Sequence, residues 1–302
     1  MQYVPRNLYR YRPLRSTTPD KDYDRHLLKR LCSEIREHQL FAAEVSALND
    51  PFEGTGVVPY VRNAGSTIPM NLGFLPPSAR DYTRGFRLIS MTERYNSPQM
   101  WAHYATGYCG VCLCYDVAFL RGRIDAVRYS DVPILEDGYR ADELILRKNE
   151  LATAALLVKQ KDWAYEQEWR AIFPSEETNG GYVSCGQDDL WAVIIGHNTP
   201  KIAQDEIRKI CQETGAQLYL TAPQELRYAL GIWPDEFSPS SDGRTIEIEL
   251  QMFYDKTGFL PFEELANVSR GSTDLAMSML GPASSFLNIE NSKRQARLED
   301  NA

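Results

Sequence analysis

The chain has 302 residues, of which 43% are hydrophobic, 25% charged and 11% aromatic, which suits a globular protein with a full core and excludes a minimal module or a disordered chain. A formal net charge of −8 disfavours a protein that coats nucleic acid through a broad basic surface. No apolar run reaches the length of a membrane span and no export signal follows Met1, so a cytoplasmic protein with no membrane partner is expected.

The first predicted element is the strand Leu8-Tyr9-Arg10-Tyr11-Arg12-Pro13-Leu14, closed by a proline that cannot continue a ladder. Alternation puts Tyr9 and Tyr11 on one side and Arg10 and Arg12 on the other, where two guanidinium forks could grip phosphate or ribose oxygens or simply keep an edge strand soluble. Thr17-Thr18-Pro19-Asp20 reads as a helix start, and Leu27, Leu28, Leu31 and Ile35 have helical spacing over 24–37. A strand at 40–45 leads into Asn49-Asp50-Pro51-Phe52-Glu53-Gly54, whose Asn and Asp are read as turn formers. Residues 54–85, rich in Gly, Pro, Asn and Ser, read as a long loop.

A strand at 86–92 puts Ser90 and Thr92 on a common face, and a short helix at 98–104 carries Trp101 and Tyr104 on one side. His103 among these aromatics reads as structural. Strands are expected at 110–116 and 124–130. Cys109, Cys112 and Cys114 with His103 are zinc-type ligands, but strand alternation sends Cys112 and Cys114 to one face without a matching second pair, so the six cysteines are read as reduced thiols. The apolar residues Leu144, Leu146, Leu151, Ala155 and Val158 suggest one long helix over 140–160.

That helix delivers the chain to Lys161-Asp162-Trp163-Ala164-Tyr165-Glu166-Gln167-Glu168-Trp169-Arg170-Ala171-Ile172-Phe173, read as an aromatic turn followed by a strand. On an extended strand Glu166, Glu168 and Arg170 share one face, with the two carboxylates about 7 Å apart. Such a pair suits a reaction that builds positive charge on a sugar carbon; it is equally the pattern of a solvated ion pair. A strand at 190–196, a helix at 202–214 ended by Gly215 and a strand at 218–221 complete an α+β pattern without regular alternation. One domain is expected over 1–234, with 235–302 as a C-terminal appendage, partly helical and frayed at its end.

Taken together, the Leu8 strand, Asn49-Asp50-Pro51-Phe52-Glu53, Met100-Trp101-Ala102-His103-Tyr104, Gly110-Val111-Cys112 and Trp163-Ala164-Tyr165-Glu166-Gln167-Glu168-Trp169-Arg170 resemble a widespread bacterial family of unknown function found near mobile-element and phage-defence genes. The chain also resembles ADP-ribosyltransferases that use an arginine on the first strand, Ser-x-Ser or Ser-x-Thr on a middle strand and Glu-x-Glu after an aromatic turn. Here these are Arg10 or Arg12, Ser90-Met91-Thr92 and Glu166-Gln167-Glu168. Met91 and Thr92 depart from the commoner Thr and Ser. The resemblance implies a compact split β-sandwich with surrounding helices and transfer of ADP-ribose from NAD to a protein or nucleic acid, as a toxin or defence effector with an antitoxin or inhibitor partner. It implies Glu168, Glu166 and Ser90 as catalytic residues, with Glu168 stabilising the oxocarbenium-like transition state and Glu166 serving the acceptor. Arg10, Arg12, Tyr11 and Thr92 would bind NAD, and Trp163 and Tyr165 would present the target. A non-catalytic binding module on the same fold and an NAD glycohydrolase are the alternatives.

Overall fold

A computed structural model of the protein describes residues 4–15, 23–61, 83–139, 147–224 and 229–235. The chain divides into two compact units, Met1–Thr221 with Pro234–Pro239, and Ala222–Trp233 with Ser240–Ala302. In chain order the first part runs β1 (Asn7–Pro13), α1 (Arg25–Arg36), β2 (Gln39–Phe41), β3 (Ala43–Glu44), β4 (Val57–Val61), β5 (Phe86–Thr92), α2 (Pro98–Tyr104) and β6 (Gly110–Asp116). It continues with β7 (Ile124–Ala126), β8 (Arg128–Ser130), β9 (Ile134–Tyr139), α3 (Lys148–Leu156), β10 (Val158–Gln160) and β11 (Glu168–Pro174). After these come β12 (Tyr182–Ser184), β13 (Leu190–Ile195), α4 (Lys201–Thr214) and β14 (Gln217–Gln224). In the second unit residues 229–233 are extended, and of the appendage expected over 235–302 residues 236–302 lie outside the described residues.

This is a mixed α and β protein built on one large open sheet, in the order β14-β13-β6-β1-β5-β11-β7. Its centre is β1, which pairs antiparallel with β6 from Asn7 opposite Asp116 to Pro13 opposite Gly110. On its other side β1 meets β5 only where Tyr9 faces Thr92, while Ala43 and Glu44 of β3 take the pairing positions beside Leu88 and Arg87. The sheet therefore divides between β1 and β5, with the β2 to β3 segment entering the gap.

Hydrophobic patterning explains the layers. One face carries Leu8, Val111, Leu113, Val193, Ile89 and Trp169 beneath the apolar stripes of α1 and α4, at Leu28, Leu31 and Ile35 and at Ala203, Ile207 and Ile210. Each helix ends where its sequence directs. The Asp24 side chain accepts from His26 N at 2.8 Å to cap α1, and Gly215 at φ 80° closes α4 with its N–H on the Cys211 carbonyl. The other face holds Tyr9 and Tyr11 of β1 and is covered by α2, which has the Ser97 side chain as N-cap and Pro98 in its first turn. Trp101 of α2 is fully buried, donates Nε1 to the Tyr95 carbonyl at 2.8 Å and meets Tyr11 edge-on at 5.1 Å.

Four predicted elements change. The strand expected over 40–45 is two, β2 and β3, because Ala42 N turns to the Gly181 carbonyl at 2.8 Å. The helix expected over 140–160 is α3 at Lys148–Leu156, after which the chain turns extended; Val158 pairs with Arg128 and Gln160 with Ser130, a parallel pairing that overrides the apolar periodicity. Residues 140–146 lie outside the described residues. The single strand expected over 124–130 is two, because Val127 N turns to the Glu168 carbonyl and Arg128 N to that of Leu157. Within the expected loop, Val57–Val61 forms β4, parallel to β9, whereas 62–82 and the proposed helix start at 17–20 lie outside the described residues.

Gly110 stands where β6 crosses β1, and a Cβ there would collide with the Arg12 carbonyl oxygen and press on Ala105. Gly110→Ala is expected to lower the unfolding free energy by about 2 kcal/mol, within the range for overpacked sites, as read by urea denaturation; unchanged stability would contradict the close packing of β1 on β6.

Candidate active site

The site is built around the turn that joins β10 to β11. The Gln160 side chain accepts from Asp162 N at 2.9 Å and starts a short 3-10 helix over Lys161–Glu166. Gln167 leaves that turn in the left-handed region at φ 44°, and β11 begins only at Glu168. Glu166 is thus not a strand residue, as strict alternation would have it. The turn nevertheless folds its side chain back onto the side of Glu168. Lys159 Nζ donates to Glu166 Oε2 at 2.6 Å and to Glu168 Oε2 at 3.1 Å.

Beneath these lies Arg170, 1% exposed. Its Nε and Nη2 donate to the two oxygens of Glu168 at 2.8 and 2.9 Å, and its Nη1 and Nη2 to the two oxygens of Glu53 at 2.7 and 2.5 Å. Nη1 also reaches the Leu156 carbonyl at 2.6 Å. One guanidinium therefore holds two carboxylates by paired hydrogen bonds, the strongest geometry this group offers. Glu53 is delivered by the Asn49-Asp50-Pro51-Phe52 turn: buried Asp50 accepts from Phe52 N at 2.9 Å through Oδ1, and its carbonyl accepts from Glu53 N at 3.2 Å.

Three carboxylates, Glu53, Glu166 and Glu168, face two cations, Lys159 and Arg170, so the fully ionised group carries one net negative charge. The imbalance falls unevenly. Burial pushes the Glu168 carboxyl up, but Arg170 and Lys159 pull harder and hold it at about 2. Among the described residues Glu166 has Lys159 alone as its cation; burial and the neighbouring Glu168 charge leave its carboxyl above the ordinary carboxylate value. Burial works against the charged Lys159 ammonium, yet Glu168 and Glu166 raise it.

The way in from the surface is aromatic. Tyr104 of α2, half-buried, donates its hydroxyl to Glu166 Oε1. Tyr165 pairs its hydroxyl with Nδ1 of exposed His103 at 2.9 Å, and the Trp163 ring lies 6.2 Å from that of Tyr165 and 4.7 Å from Lys159 Nζ. Glu166 itself is 2% exposed and sits directly under this rim.

The structure gathers most of the predicted site residues and separates two. Tyr9, Thr92 and Glu168 lie in register across β1, β5 and β11, and Arg170 lies opposite Ser90 in the neighbouring row. Thr92 donates its hydroxyl to the Glu166 carbonyl, Ser90 bonds the Glu168 carboxylate, and Glu168 N donates to the Tyr129 hydroxyl at 2.8 Å. Tyr11 faces the same side but is sealed beneath Trp101, its hydroxyl on the Arg94 carbonyl at 2.8 Å. Arg10 and Arg12 are the correction. They project from the opposite face of β1, where Arg10 Nη2 bonds the Phe41 carbonyl at 2.6 Å and Arg12 Nη2 bonds Glu34 at 2.7 Å, so neither joins the glutamates. Period-two alternation shows that two residues share a face, not which face it is. Glu53, Lys159, Tyr104 and His103 are the members that the sequence reading passed over. The Asn-Asp-Pro turn ahead of a glutamate was the available signal for Glu53.

Because the Glu168 carboxyl is depressed on folding, its contribution to stability is complete above the ordinary value of 4.5 and is lost as pH falls toward about 2. Glu166, raised on folding, acts in the opposite sense: its contribution is present below 4.5 and lost as pH rises through its folded-state value. Denaturant unfolding between pH 5 and pH 2 is expected to show an acid-side loss on the order of 3 kcal/mol attributable to Glu168. Glu168→Gln should be less stable at neutral pH and lose less in acid; parallel acid limbs for the two proteins would contradict the assignment.

Residues 100–171, from α2 into β11, match the family model described as a protein of unknown function (DUF2971). The matched stretch includes Tyr104, Lys159, Glu166, Glu168 and Arg170, and it accords with the resemblance to a family without an assigned reaction. No curated protein and no solved structure matches the chain.

Proposed function

We propose that the chain is an NAD-dependent ADP-ribosyltransferase acting on a macromolecular acceptor, protein or nucleic acid, with the fold of a split β-sandwich. The observation that carries this reading is the adjacency of β1, β5 and β11. Strands far apart in the chain are consecutive in the sheet, and they set Tyr9, Thr92 and Glu168 in one row with the Glu166 carboxylate beside it. The division of the sheet between β1 and β5 supports the same reading.

In the reaction the bond between nicotinamide and ribose breaks, its electron pair leaves with nicotinamide, and positive charge develops on the ribose carbon and ring oxygen. A fixed anion close to that carbon stabilises the transition state more than the ground state. The hydrogen bonds redistribute the roles expected from the Glu-x-Glu pattern. Glu168 is committed to Arg170 and Lys159, which makes it a positioning residue. Glu166, just under the rim and carrying the uncompensated charge, faces the developing cation or takes the proton of the attacking acceptor. Tyr104 and Lys159 hold one oxygen each of its carboxylate. Trp163, Tyr165 and His103 form the surface against which the acceptor is presented. Arg10 and Arg12 have no part on this side; Thr92 acts from beneath the donor, and Tyr11 supports that face only from under Trp101. A toxin or phage-defence role with an inhibitor partner, in the cytoplasm, is the setting that the family resemblance suggests.

The saturation of both Glu168 oxygens by Lys159 and Arg170 favours a second reading, in which the charges are structural and the chain is a binding module. Nicotinamide release from NAD and label transfer into lysate protein and nucleic acid, measured for wild type and Glu166→Gln, separate the two. We expect transfer by the wild type and a kcat about 100-fold lower in the variant, the lower end for a lost acid or base, with unchanged circular dichroism. Release without transfer makes the chain a glycohydrolase; no release leaves the binding module.

A further inference from the structure

The helix-covered face of β1 carries an unbalanced set of cations that the glutamate site does not use. Arg12 Nη2 and Arg30 Nε both donate to one oxygen of buried Glu34, at 2.7 and 3.0 Å. Arg10 lies beside them on the strand, with Nη2 on the Phe41 carbonyl at 2.6 Å and Nη1 enclosed without a hydrogen-bond partner among the described residues. The Arg30 guanidinium stacks 4.0 Å above the Phe41 ring. Two guanidiniums thus share one carboxylate with a third beside them, an excess of two positive charges among the described residues.

Such an excess is costly. A guanidinium removed from water without a counter-charge loses its hydration uncompensated, and burial together with the nearby Arg12 pushes Arg10 down to about 10. The Arg12 and Arg30 side chains are 15% and 37% exposed, so the cluster opens to solvent on one side. Guanidinium forks converging from a strand and a helix present donors with the geometry of phosphate oxygens.

We infer that Arg10, Arg12 and Arg30 form a binding site for a phosphate group on the helix-covered face of the sheet, separate from the glutamate site. The inference is independent of the proposed transferase activity, since the two sites lie on opposite faces of β1 and β11. The phosphate supplies counter-charge: the remaining donors of Arg12 and Arg30 bind its oxygens above the enclosed Arg10, whose charge attracts it from beneath, while Glu34 keeps the Arg12 and Arg30 side chains in place.

Thermal unfolding of the full chain tests this with inorganic phosphate and, separately, a nucleoside diphosphate, each against chloride at equal ionic strength. In wild type either ligand is expected to raise Tm by about 3 °C or more at saturating concentration. A larger rise with the diphosphate would identify a nucleotide as the source of the phosphate, and equal rises free phosphate. The rise is expected to be at least halved in Arg30→Gln, whose side chain is partly exposed and whose fold should be retained, and absent in Arg10→Met. No rise over chloride in the wild type, or the wild-type rise in Arg30→Gln, would overturn the proposal; the latter comparison stands even if Arg10→Met fails to fold.

Discussion

Arg170 cannot be placed in this interior alone. A guanidinium 1% exposed to solvent is tolerable only because Glu168 and Glu53 each supply both oxygens and Leu156 supplies a carbonyl. Those partners come from a turn 117 residues earlier, the end of α3 and the start of β11. No one of these segments can settle without the others, since breaking a buried ion pair from one side costs roughly 3–5 kcal/mol. The Asn49-Asp50-Pro51-Phe52 turn, the short parallel pairing of β10 with β8 and the 3-10 turn before β11 all serve to complete that shell.

Chemistry follows from what the shell leaves over. If the group existed only for stability, well-packed apolar residues of similar volume would do as well or better. Instead it closes with one carboxylate more than its cations, and the surplus lies at its outer edge. Glu166 is held by Lys159 inside and Tyr104 outside, below a rim of exposed and half-buried rings. A fixed anion under an aromatic rim, in surroundings drier than water, is suited to a cationic transition state.

Much of the sheet was legible in the sequence, and the reason is local. β1, β5, β6 and β13 alternate or run apolar as their burial demands, and α1 and α4 carry their caps within a few residues of where the chain turns. The candidate site was legible in part. Glu168, Ser90 and Thr92 were reachable from motif order because their strands follow the chain's own alternation, and Glu166 and Tyr165 because they stand in the aromatic turn just ahead of β11. The cation partners were not. Lys159 belongs to a stretch whose apolar spacing imitates a helix until pairing with β8 decides otherwise, and Glu53 answers an arginine that no local pattern connects to it. The arginines of β1 show the same limit from the other side: Arg10 and Arg12 do share a face, but only the packing of α1 against β1 determines that it is the one away from the glutamates.

The carboxyl group of Glu166 is the atom set on which the account turns, and its titration can be followed directly by carbon NMR with Glu166→Gln as the assignment control. The account predicts a midpoint above 4.5 in the free protein and a displacement of that midpoint when NAD is added. A midpoint at or below the ordinary carboxylate value, unmoved by NAD, would contradict it.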